Sequence, residues 1–281
     1  MALLFVFCAP AFAQSKGSAA KRVTHNFDAA LEFSDYEYEE PGHMKVYGSM
    51  SGLSVQYLLD GRFNESLSGQ LRARYHYMSS ASEDLTYEGS YIVSGEKLKY
   101  KGDTFRYNDF VLALGVEARL TQKFSTAPYI GFGYRYHVDE KDSMPGDYER
   151  EQVYYYMPVG ADWKLSMPHG WGVAFNTEVD FLLSGENTTH LYDRYGRDQK
   201  LKFRQTSGYG LRFSVKGEKD FGKVKAFVEP FYRYWNIAES DSQEGDLYCC
   251  TVGTTEIWVR TPLYEPKNNT KEFGLKIGVS F

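Results

Sequence analysis

Long apolar runs are missing from this chain of 281 residues. Beyond the first dozen positions nothing approaches the roughly 20 consecutive apolar residues that a transmembrane helix needs, so a helical span is excluded. Cysteine is scarce, at three residues, and two of these are neighbours, Cys249 and Cys250. Adjacent cysteines are neither a disulfide framework nor a zinc pattern, and a vicinal bridge departs from ordinary disulfide geometry; the pair reads as a loop feature. A basic excess is also absent. Lys and Arg number 32 against 37 Asp and Glu, a net charge of -5, which argues against a nucleic-acid partner held by phosphate contacts. No Gly-rich phosphate loop, haem motif or metal-ligand spacing appears, so neither cofactor nor metal is expected.

Aromatic residues are abundant instead: 24 Tyr and 19 Phe help bring their share to 17%. Mean hydropathy is -0.49, as in a soluble protein, yet so aromatic a chain has ample surface to bury and is not disordered. A β-rich protein follows, either a soluble sandwich or barrel or a membrane barrel.

Residues 2–13 are apolar and end in Ala11-Phe12-Ala13 before Gln14, the small-x-small pattern that a signal peptidase reads. Residues 1–13 are therefore expected to be a signal peptide. Its basic leading region is missing, which puts the true start a few residues upstream. A short polar lead over 14–24 and a single barrel domain over 25–281 complete the expected organisation.

Alternation with period 2 decides the fold class. Ten segments carry it: Phe27 to Phe33, Leu53 to Leu59, Leu67 to Tyr77, Phe110 to Leu120, Ile130 to Val138, Tyr155 to Leu165, Trp171 to Leu183, Tyr209 to Val215, Ala226 to Tyr234 and Phe273 to Phe281. Links alternate in length. Short ones are predicted at Asp60-Gly61-Arg62, 121–126, Pro168-His169-Gly170 and 218–222, and long polar ones at 36–44, 79–104, 140–150, 185–204 and 239–271. Short turns on one side and long loops on the other mark an outer-membrane barrel with periplasmic turns. Charge on the polar faces points the same way. Arg72, Arg74, Glu117, Arg119, Arg135, Glu178, Asp180, Arg212, Glu229, Arg233, Glu272 and Lys276 all share inward parity, while Tyr75, Tyr77, Tyr134, Tyr136, Trp163, Trp171, Tyr232 and Tyr234 stand near the ends of apolar faces, as an interfacial girdle requires. The expected fold is all-β: a transmembrane, antiparallel, up-and-down barrel of about ten strands.

The terminal run Phe273, Leu275, Ile277, Val279 and Phe281, alternating with Gly274, Lys276, Gly278 and Ser280, resembles the closing strand of Gram-negative outer-membrane β-barrel proteins. The resemblance implies that this strand is the signal read by the barrel assembly machinery, and that the chain sits among outer-membrane lipid and lipopolysaccharide. It extends to small porin-like and opacity-type barrels and to the ten-stranded omptin proteases, so it leaves activity open.

A ten-stranded barrel is narrow, and desolvated charges need partners. The twelve inward charges are therefore expected to pair, with Glu117 and Arg119 beside Arg72 and Arg74, Glu178 and Asp180 beside Arg212, and Glu229 beside Lys276. On that reading the lumen is largely filled and the role is structural or one of surface interaction with an extracellular ligand. One alternative is a narrow porin-like channel lined by the same residues. The other is an omptin-like protease, since that family's resemblance implies an Asp pair facing an Asp-His pair at the mouth. Here His137 and Asp139 share one face and Glu239 and Asp241 follow the ninth strand. The order His-x-Asp departs from the family's Asp-x-His and the facing pair contains a Glu, so no catalytic residue is assigned. His43, His76, His169 and His190 are isolated in sequence and read as polar surface. In the outer loops, 79–104 is read as a hairpin above the membrane, and Tyr248 and Ile257-Trp258-Val259 as packing over the mouth or as anchors for a partner.

Overall fold

A computed structural model describes residues 23–81, 84–90, 97–140, 148–191, 199–252 and 255–281. The expected signal peptide lies outside these residues, as does the lead up to residue 22. Val23 and Thr24, expected in the lead, already belong to the first strand.

Ten strands form a closed antiparallel barrel in up-and-down order. They are β1 (Val23–Glu40), β2 (Met44–Arg62), β3 (Leu67–Ser79), β5 (Lys97–Arg119), β6 (Phe124–Glu140), β7 (Arg150–Ser166), β8 (Trp171–His190), β10 (Gly208–Asp220), β11 (Lys225–Ile237) and β14 (Asn268–Ser280). Closure comes from β1, which pairs β2 on one edge and β14 on the other, with Leu31 between Leu53 and Ile277. Closing the sheet satisfies every edge, the condition for a sheet to enter lipid. Among the described residues four further strands stand outside the ring: β4 (Leu85–Ser90) pairs β2 and β5, β9 (Lys200–Gln205) pairs β8, and β12 (Ser242–Val252) pairs β13 (Thr255–Tyr264) in a hairpin of its own.

The wall is inside out. Leu31, Leu114 and Phe273 are 60%, 65% and 63% exposed, whereas Glu32 and Asp180 are wholly buried. Strand alternation sends one set of side chains to each face, and only a hydrocarbon surrounding stabilises this sorting. Trp163 stacks on Phe175, and Tyr134 packs against Tyr155, at opposite ends of the apolar band. Lipid therefore covers a belt from the Trp171 level up to Tyr77, Tyr134, Tyr155, Tyr209 and Tyr234.

Strands of 13 to 23 residues exceed the roughly 9–11 that cross a bilayer, so the barrel projects beyond the outer surface. This corrects the predicted loop at 36–44: β1 runs to Glu40, β2 begins at Met44, and a tight turn through Gly42, at φ +84°, joins them. Its outward charges Glu37 and Lys45, which read as loop, belong to strands standing in water. The stretches 79–104, 185–204 and 239–271 contain β4, β9 and the β12–β13 hairpin. At the other end Asp60, Gly61 and Arg62 are the end of β2, and the turn is residues 63–66, where Asn64 Oδ1 accepts from Ser66 N–H at 2.9 Å.

Candidate functional site

Inward side chains divide the lumen into levels. Nearest the short turns is a cavity of about 800 Å³, lined among others by Asp28, Gln70, Glu117, Lys164, Lys216 and Lys276. Its charges pair around the wall: Lys216 with Asp28 at 2.6 Å, Lys276 with Glu229 at 2.9 Å and Lys164 with Glu117 at 2.9 Å. Arg72 closes onto Asp162, which Asn176 also supports at 2.6 Å, while its guanidinium lies 4.3 Å from the centre of the Tyr129 ring.

Above the cavity two buried networks cross the barrel. In one, Arg212 reaches Asp109 at 2.7 Å, Asp180 at 2.6 Å and Glu178 at 3.1 Å. From the opposite wall Arg74 donates a forked pair of hydrogen bonds to Glu178, at 2.6 and 3.1 Å, and Tyr129 O–H adds a third at 2.6 Å. Tyr156 O–H donates to Asp109 at 2.6 Å and accepts from Arg212 at 2.9 Å. In the other network Arg233 joins Glu32 at 2.7 Å and Glu272 at 3.3 Å; Tyr107 and Ser34 donate to Glu272, and His76 Nδ1 lies 2.6 Å from Glu32. Burying these ions costs solvation, which Coulomb attraction offsets only when further hydrogen bonds complete each group. The tyrosine hydroxyls supply those bonds.

Two clusters of buried aromatic and apolar side chains start at the level of these networks and continue above them. Tyr36, Tyr38, Met50, Met78, Phe105 and Tyr107 form one, and Tyr129, Tyr154, Tyr156, Trp235 and Ile237 belong to the other. Arg135 sits among them, its guanidinium 4.3 Å from the Tyr107 ring centre and 5.7 Å from that of Trp235; it has no ion-pair partner among the described residues. At the outer mouth, beyond the lipid belt, Arg150 gathers Glu40 at 2.7 Å, Asp139 at 2.8 Å and Glu265 at 3.4 Å, and Tyr38 O–H donates to Glu40. Three carboxylates against one cation leave negative charge in excess. Burial and the charge of Glu40 push the Glu265 carboxyl up to about 8, against the opposing pull of Arg150.

Of the charges picked out by parity, the structure brings together Arg212 with Glu178 and Asp180, Arg74 with Glu178, Arg233 with Glu272, and Glu229 with Lys276. It separates Glu117 and Arg119 from Arg72 and Arg74. Glu117 faces Ser68 in register while Arg72 faces Ala113, so Glu117 stands four residues lower and takes Lys164. Arg119 is exposed at the rim, with no ion pair among the described residues. Outside the expected charge network were Glu32, His76, Asp109, Asp162, Arg150 and Glu265. Parity held the signal for the first four: His76 is in step with Arg72 and Arg74, and Glu32 with Asp28. The reading of His76 as polar surface is corrected by its burial against Glu32. Arg150 and Glu265 fell in predicted loops.

The pieces considered for an enzyme do not assemble. His137 is buried, its Nδ1 3.1 Å from Gln152 Oε1 and its ring 4.9 Å from that of Phe105. Asp139 holds Arg150, and Asp241 accepts from the Arg204 backbone N–H at 2.7 Å. Glu239 is exposed. The backbones of Cys249 and Cys250 belong to β12, and their side chains lie outside the described residues.

No family model matches the chain, and no curated protein is similar to it in sequence. Among solved structures, the outer membrane protease OmpT from Escherichia coli superposes with a TM-score of 0.58 at 9% identity, over 92% of this chain and 96% of that one. Together with the lipid-facing belt, this decides the class. The chain is an outer-membrane β-barrel protein. Such a barrel also aligns, more loosely, with Neisserial surface protein A (TM-score 0.33, 10% identity, 90% and 95% of the chains) and with Ail, the attachment invasion locus protein of Yersinia pestis (0.31, 9%, 92% and 99%). At these identities the likeness concerns the fold. The barrel's outer wall meets membrane lipid, and its last strand is seated between β1 and β11, with Phe273, Leu275, Ile277 and Phe281 facing outward and Val279 half-buried.

Proposed function

We propose that the barrel works at the cell surface, in a structural or interaction role, through the part that projects beyond the membrane. The observation that carries this reading is Arg212, held by Asp109 of β5 and by Asp180 and Glu178 of β8. With Arg74, Arg233 and the aromatic clusters above them it fills the section at which the 800 Å³ cavity ends. An ion passing through would have to break several buried, multiply bonded pairs at once, each strongly unfavourable to separate. A lumen filled this way argues against conduction through a narrow channel. The mouth argues likewise against a hydrolase, since catalysis requires a base within reach of a water and an orienting partner, whereas His137 is enclosed by aromatic rings and Asp139 is bound to Arg150.

What remains for function is the outer crown: β4, β9 and the β12–β13 hairpin. On that hairpin Val252, Ile257, Val259 and Tyr264 are exposed, in keeping with an extracellular ligand whose identity these residues leave open. The remaining partners we assign are lipopolysaccharide around the crown and the assembly machinery at the C-terminal strand. Planar-bilayer recording on the purified barrel tests the reading: baseline current is expected, and well-defined single-channel steps would overturn it in favour of a porin. Incubation with a basic peptide is expected to leave the peptide intact.

A further inference from the structure

Glu149, Glu151 and His190 meet on the outward face of the wall, above the lipid belt. Glu149 directly precedes β7, and Glu151, two residues on, points to the same side. His190 ends β8, and its backbone N–H donates to the Glu149 carbonyl at 3.0 Å, which brings the imidazole alongside. Its Nε2 lies 3.2 Å from Glu151 Oε1 and 3.8 Å from Glu149 Oε1. One donor atom from each residue lies within 4.8 Å of the other two, and all three are half-buried.

Several carboxylates on the outward face carry a cation of their own. Glu37 is neutralised by Lys45 and Lys271, Glu140 by Arg106 and Glu186 by Lys202. Among the described residues, neither Glu149 nor Glu151 has a lysine or arginine partner. Two carboxylates converging on one imidazole repel each other unless a cation lies between them. The donor set of one nitrogen and two carboxylate oxygens suits a first-row divalent ion, and the imidazole favours zinc over the oxygen-seeking magnesium and calcium. We propose that Glu149, Glu151 and His190 form a divalent-metal site that takes Zn²⁺, tying the start of β7 to the end of β8. Three protein ligands leave a fourth tetrahedral position open outward. Sequence alone gave no hint, because His190 lies 39 residues from Glu151.

Calorimetric titration of ZnCl₂ into the untagged, folded barrel in detergent tests the site. Saturable binding at one ion per barrel is expected, weakened about tenfold or more in His190→Ala and in Glu149→Gln/Glu151→Gln, with MgCl₂ a poor competitor. A heat-modifiability gel verifies that each variant is folded. No saturable binding, or binding unchanged in the variants, overturns the proposal and leaves His190 as a plain contact of Glu149 and Glu151. A readout independent of the variants is Co²⁺ added to the unaltered barrel: visible ligand-field bands that Zn²⁺ removes support the site, and a featureless spectrum overturns it.

Discussion

The ring of Tyr156 lies flat over Gly133 of the neighbouring strand, so close that a Cβ at position 133 would stand 2.1 Å from the ring's Cζ. The two residues face each other across β6 and β7, and four residues away the arrangement is reversed, with Tyr129 opposite Gly160. Both tyrosines can lean along the wall only because a glycine gives them room, and there their hydroxyls reach Asp109 and Glu178. Gly133→Val should push the Tyr156 ring into the lumen and break its bond to Asp109. Overpacking of this kind costs about 1–3 kcal/mol. A lower unfolding temperature on heat-modifiability gels is the expected result, and unchanged stability would contradict it.

Arg212 is the shared partner of three carboxylates, so its removal should be far more damaging than that of a surface arginine. Arg212→Ala leaves Asp109, Asp180 and part of Glu178 buried without their cation, a loss of about 3–5 kcal/mol. Arg260, whose contact with Glu244 at 3.7 Å is exposed on both sides, provides the control, with an effect under about 1 kcal/mol when changed to Ala. Combining Arg212→Ala with Asp109→Asn should recover part of the loss, because one uncompensated charge goes with it. Urea unfolding of the wild type, Arg212→Ala, Asp109→Asn, their double variant and Arg260→Ala in detergent measures these differences, and strict additivity of the two single changes would deny the coupling.

How much of this could be read beforehand divides along physical lines. Alternation is a property of the single strand, so the ten strands, their facing and the closure by β14 were legible from residues such as Leu112, Leu114 and Val116. Partner choice depends on register and shear, which period 2 does not encode. Arg72 and Glu117 share a face and adjacent strands, yet their offset of four residues sends them to Asp162 and Lys164. The crown was misjudged for a different reason. Above the membrane the outward face of β1 meets water and its inward face holds tyrosines and a buried carboxylate, so Glu37, Tyr38, Glu39 and Glu40 lack the apolar–polar contrast of the wall and read as a polar loop although they continue β1.

Glu265 makes the outer mouth sensitive to pH. Its carboxyl is raised in the folded protein to about 8 from an ordinary value near 4.5, among Glu40, Asp139, Arg150, Tyr38 and Tyr148. A group raised on folding contributes stability that is complete below its unfolded value and is lost as pH climbs through the folded one. The Glu265 contribution is thus present at pH 4.5, declines above it and is gone beyond pH 8. Thermal unfolding of the wild type should fall between pH 5 and 9, and Glu265→Gln, neutral throughout, should flatten that decline. A variant with the same pH slope as the wild type would remove Glu265 as its source.

Phe281 tests whether the last strand is a signal as well as a wall element. Its backbone exchanges two hydrogen bonds with Phe27, at 2.9 and 3.2 Å, and its side chain is 60% exposed to the lipid side. Deleting it removes one outward aromatic and the final rung of a register that continues through Asp28 and Ser280, a small part of a barrel closed along its whole length. Refolded in detergent, the deletion variant should therefore unfold within a few degrees of the wild type. In cells its yield in the outer membrane should drop severely, because assembly machinery that reads the terminal alternating strand would meet Ser280 in place of an aromatic. Phe281→Tyr keeps an aromatic ring and should restore the yield. Equal membrane levels of the deletion variant and the wild type would show that Phe281 serves only the wall.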